Sequence, residues 1–167
     1  MKLLRTIALD PSDTFVFDVP AEPGDWAVSG AFRFCDRDPA ELSGKDRSAF
    51  RGGFLGVQSW GWSTLAQIVH ATEDDRRTVV ELLARQLVER FGAPDLAIAR
   101  LAAEEEVAFA QSLCSHPIST LIAACWWNSL RGIWSNGSGR RILQPRALPR
   151  KRKSPLHNRS VRIPLAL

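Results

Sequence analysis

Two tryptophans one residue apart, Trp60 and Trp62, follow the glycine run Gly52-Gly53-Phe54-Leu55-Gly56. Glycine lets a backbone approach a partner closely, and indoles offer flat amphipathic contact surface. An enzyme would need a pocket here, lined by Trp60, Trp62, Arg51 and His70, around an ionisable group shifted by its surroundings. Segment 52–64 is not a Walker loop, because no Gly-Lys-Ser/Thr follows, nor a dinucleotide fingerprint, because GxGxxG is absent. Its structural reading is a hairpin whose glycines make the bend while Trp60 or Trp62 packs in the core.

Other chemistry-bearing residues are more scattered. Cys114-Ser115-His116 with Cys125 offers three zinc ligand types, but the spacing fits no standard finger and no fourth ligand is near. Buried thiols and a helix-ending histidine explain these residues more simply. Cys35 or Cys114 as a nucleophile beside His70 or His116 has no local signature. Glu104-Glu105-Glu106 reads as solvated helix surface. No residue set specifies a catalytic mechanism, a metal or a cofactor.

Charge divides the chain in two. All 18 Asp and Glu lie at or before Glu106, against 12 Lys and Arg, a net of −6. Residues 107–167 carry 10 Lys and Arg and no carboxylate. An acidic body of about residues 1–124 followed by a basic appendage, 125–167, is therefore expected. The run Arg150, Lys151, Arg152 and Lys153 could contact phosphates, with Trp126, Trp127 and Trp134 free to stack on bases. A solvated tail without a dedicated partner is the simpler reading. Four prolines and the lack of periodicity predict a disordered tail. Three cysteines, odd in number and widely spaced, suggest a reducing, cytoplasmic setting. The N-terminus begins like a signal peptide, but Arg5 and Asp10 interrupt it. No apolar run reaches membrane-spanning length.

The elements that must position these residues change character at Thr72. Before it, Lys2–Leu9 is rich in Leu and Ile, and Thr14–Asp18 is β-branched and aromatic. Trp26, Val28, Gly30, Phe32 and Phe34 alternate with smaller or polar residues, which predicts a strand with one apolar face. Asp36–Phe50 is a loop or short helix, and 63–70 is another strand. After it, Thr72 caps a helix over Glu73–Phe91, closed by Gly92 and Pro94. A second helix runs over 95–114, with Leu96, Leu101, Val107, Phe109 and Leu113 as candidate core positions. Thr120–Ala124 could return to the sheet.

The segments Leu3–Phe17, Trp26–Phe34 (WAVSGAFRF), Phe50–Leu65 (FRGGFLGVQSWGWSTL), Leu87–Leu96 (LVERFGAPDL) and Glu105–Pro117 resemble a group of short alphaproteobacterial proteins catalogued only as a domain of unknown function. The resemblance spans about residues 1–124 and carries no catalytic residues. It implies a small cytosolic helper, of the kind that accompanies a redox metalloenzyme. Cys125–Arg141 departs from the relatives' pattern, and an acid-free stretch rich in Arg, Pro, Ser and Trp is what a GC-rich gene yields in a shifted frame.

The expected architecture is α+β: an antiparallel sheet from the N-terminal half, covered on one face by two helices. The expected function is a non-enzymatic accessory or protein-interaction domain with an unidentified protein partner. The alternatives are a small-molecule enzyme using segment 52–64, and nucleic-acid binding through the tail.

Overall fold

The computed structural model describes residues 1–123. They form two three-stranded antiparallel sheets packed with helices. The first sheet holds β1 (Lys2–Thr6), β5 (Leu65–His70) and β6 (Leu121–Ala123), with β5 in the centre. Its register sets Lys2 opposite His70 and Thr6 opposite Ala66. The second sheet holds β2 (Ala27–Val28), β3 (Phe54–Gly56) and β4 (Trp62–Ser63). An isolated bridge between Arg5 and Trp26 joins the two. There the Arg5 guanidinium lies 3.7 Å from the centre of the Trp26 ring, a cation–π contact.

The glycine-rich segment is the expected hairpin, since β3 and β4 pair directly. The expected strand over Trp26–Phe34 is not formed beyond Val28. Gly30 turns the chain with φ 65, and Ala31–Phe34 is a 3-10 turn. The period-2 reading assumed that residues 27, 29 and 31 face water, but Ala27, Ser29 and Ala31 are all buried. With apolar and small residues enclosed alike, nothing held the segment to one sheet face. Thr14–Asp18 is likewise not a strand: α1 covers Asp13–Val16. Its start is fixed by turn chemistry, with Asp10 accepting from the Ser12 backbone and buried Asp13 accepting from Thr64 N–H.

The helix α3 spans Glu73–Phe91 as its caps predict. Thr72 and Asp75 satisfy each other's backbone N–H in a capping box, and Gly92 closes the far end in the left-handed region. Thr72→Ala should cost about 1 kcal/mol, read as an earlier thermal midpoint. A midpoint equal to wild type would mean that the end frays without consequence.

The helix α4, Leu96–Ser112, turns an alanine face inward: Ala99, Ala102, Ala103 and Ala110 are buried with Val107. Leu101 and Phe109, expected in the core, face outward at 64% and 36% exposure. Small residues let α4 lie close against α3, β1 and β2. Arg100 donates to both carboxylate oxygens of Glu81 and so links the two helices at the surface.

A fourth helix, α2, spans Gly44–Gly52 and carries Arg51 in its last turn. Among the described residues no helix is long and apolar enough to cross a membrane.

Candidate functional site

The turn between β3 and β4 is held from below by one carboxylate. Asp25 is buried and accepts hydrogen bonds from Gln58 N–H, Ser59 N–H and the Ser59 hydroxyl, at 2.8–3.1 Å. The turn forces Trp60 to φ 58. That left-handed conformation is costly for a bulky side chain and persists only where surrounding contacts impose it. Here they do. The Trp60 ring packs against Phe32 and Phe91, with ring centres 6.0 and 6.1 Å away. Trp62, two residues on, stacks on Phe34 at 5.7 Å.

Arg33 joins the two indoles. It protrudes from the 3-10 turn as the half-buried residue between buried Phe32 and Phe34. Its guanidinium lies 5.4 Å from the Trp60 ring centre and 5.3 Å from that of Trp62. It also donates to the Trp60 carbonyl at 3.2 Å. Arg90, exposed on the last turn of α3, approaches the Trp60 ring at 5.6 Å and donates to the Gln86 side chain. Burial, and then repulsion from Arg90, press the Arg33 guanidinium below its ordinary value, with Asp46 acting the other way. An arginine so placed stays charged.

Beside Arg33 opens a pocket of ≈ 80 Å³, lined also by Phe17, Val19, Lys45, Ala49 and Trp62. The two carboxylates on its wall already have cations: Asp18 lies 3.3 Å from Lys45, and Asp46 2.5 Å from Arg37. Val19 on its wall is exposed at 53%.

Of the residues expected to line a pocket together, the structure brings Trp60 and Trp62 into one cluster, each only 6% exposed. Arg51 is half-buried at the end of α2. His70 is exposed at the far end of β5, roughly 16 Å along the strand from Leu65 at about 3.3 Å per residue. Arg150, Lys151, Arg152 and Lys153 lie outside the described residues, as do Cys125 and the three C-terminal tryptophans.

The thiols are shifted away from reactivity. Burial pushes Cys114 up to about 11, and burial followed by Asp36 pushes Cys35 up. A nucleophile needs the opposite shift. Among the described residues no group of three or more His, Cys, Asp or Glu is placed to hold a metal.

Sequence reasoning missed Arg33, which an alternating strand assigns to the solvent side, and Asp25, whose partners lie more than thirty residues away. It also misplaced Glu106. The carboxyl of this half-buried residue turns onto Ser29, whose hydroxyl donates to it at 2.9 Å. Burial raises Glu106, the Ser29 bond opposes this, and Glu105 adds to it. A carboxyl that holds its proton more tightly when folded favours folding below the ordinary value of about 4.3. That contribution is lost as the pH rises through the raised folded-state value. Glu106→Gln should therefore raise the melting midpoint near pH 8 and change it little near pH 4. An equal shift at both would show that burial of the charge is not its source.

No curated protein and no solved structure matches the chain. One family does, over residues 1–132, a span that includes every sheet and helix of the described residues and the Arg33 cluster. The chain therefore belongs to DUF6505, a family of unknown function.

Proposed function

We propose that this protein is a non-enzymatic interaction domain that docks onto a partner protein through the Arg33 face. The observation that carries this reading is the size of the pocket there. Its ≈ 80 Å³ compares with the roughly 300–1,000 Å³ of sites that enclose small molecules, so it fits the tip of a side chain better than a metabolite. The rigid floor supports the same reading. Asp25 and the ring contacts fix Trp60 in advance, which lowers the entropy lost on docking. Exposed Val19 adds apolar area beside a charged anchor, the composition of a recognition surface.

The test is affinity capture with tagged full-length protein in its native cells, wild type beside the double variant Arg33→Glu, Arg90→Glu. A specific partner held by wild type and released by the double variant is expected. Equal capture by both, or a small molecule consumed by wild type alone, would overturn the reading.

A further inference from the structure

Arg33 and Arg90 converge on one indole although their charges repel. Among the described residues neither has a carboxylate within ion-pairing distance, in a body where carboxylates outnumber basic residues by half. The other cation lining the pocket, Lys45, is committed to Asp18 and to the Phe17 carbonyl, and the pocket's Asp46 is taken by Arg37. Arg33 uses one nitrogen on the Trp60 carbonyl and lays its plane near two rings, which fixes the fork but does not neutralise it. Two guanidiniums over one indole, 5.4 and 5.6 Å from its centre and neither ion-paired among the described residues, offer positive charge to an incoming anion.

We infer that Arg33 and Arg90 form a clamp for a carboxylate, supplied by an acidic side chain of the docking partner. This rests on the docking reading above and names the chemistry of its anchor. Carboxylate suits the geometry because the free edge of a planar guanidinium binds two coplanar oxygens, and because ≈ 80 Å³ admits a carboxyl and its short apolar stem along Trp62 and Ala49. The second cation, Arg90, is exposed and contributes mainly to attraction on approach.

The full-length protein would be titrated with N-acetyl-glutamate amide, with N-acetyl-glutamine amide, and separately with inorganic phosphate. The readouts are the nuclear magnetic resonance signals of the Trp60 indole N–H and the Arg33 Nε–H. These report the site and not the basic C-terminal region. The glutamate probe should move both signals saturably and the glutamine probe should not. Arg33→Lys should weaken binding about tenfold by losing the fork, and Arg90→Gln about threefold as an exposed charge. Arg90→Gln lies on an exposed helix surface, so the test survives if the Arg33 variant fails to fold. Equal shifts with the glutamine probe, tighter binding of phosphate, or unchanged affinity in Arg90→Gln would overturn the assignment. Partner capture that persists while the glutamate probe fails would sink the carboxylate clamp alone. Probe binding without any captured partner would keep the clamp and sink the docking reading.

Discussion

Gly61→Ala is expected to lower the thermal midpoint by roughly 10 °C or more, the equivalent of about 3 kcal/mol in a domain of this size. A Cβ at Gly61 would run into the carbonyl of Pro20 and come within 2.7 Å of the Ala21 nitrogen. Backbone cannot swing aside as a flexible side chain would. The Val19–Ala21 stretch is pinned to β4 on both sides of the clash, with Trp62 N–H donating to Val19 and Ala21 N–H to Trp62. Relief requires breaking one of these bonds and moving Trp62 from its stack on Phe34. Gly30→Ala provides a comparison with a different cause: strain at φ +65 and contact with the Trp62 ring at 2.8 Å. Differential scanning calorimetry reads both. A Gly61→Ala midpoint within 2 °C of wild type would mean that the Pro20 strand can retreat, and that the floor of the site is softer than argued.

Asp25→Ala should be nearly as damaging and more informative. It strands Gln58 N–H, Ser59 N–H and the Ser59 hydroxyl, each worth about 1–3 kcal/mol when left without an acceptor, though water entering the loosened turn will recover part of that. A net loss of about 2–4 kcal/mol is expected, with Asp25→Asn between it and wild type because one acceptor survives. Without the anchor, only the ring contacts with Phe32 and Phe91 hold Trp60 at φ 58, and it should relax towards an ordinary backbone conformation. Asp25 is thus a positioning residue. Its loss should abolish the response of the Trp60 indole signal to the glutamate probe, even at temperatures where the protein remains folded. A fully responsive Trp60 in folded Asp25→Ala would show that the turn is held by its ring contacts alone.

How much of this was readable beforehand depended on how local the cause was. The helix α3 was legible end to end because Thr72, the acidic first turn and Gly92 act within a few residues of themselves. The strands β1 and β5 and the hairpin carrying Trp60 and Trp62 were legible for the same reason, as was the return of the chain at β6. The α+β class followed from the order of these elements. What failed was burial on both sides of a segment. Trp26–Phe34 alternates in size but not in exposure, so its pattern imitated a strand that Gly30 breaks. The face of α4 departs in the opposite sense, since its large residues predict a core that the small ones fill. The site divided along the same line. Trp60 and Trp62 announced themselves by type and spacing, whereas Arg33 and Arg90, fifty-seven positions apart, meet only because the 3-10 turn and the end of α3 close over one ring.

Hydrogen exchange on the full-length protein, free and bound to its captured partner, tests the docking account most directly. Binding at the Arg33 face should slow exchange at the backbone of 31–34, the Gln58–Trp62 turn and α2, and leave α4 and the exposed end of β5 at His70 unchanged. Protection that falls on α4 or β5, with the Trp60 turn exchanging as in the free protein, would contradict it.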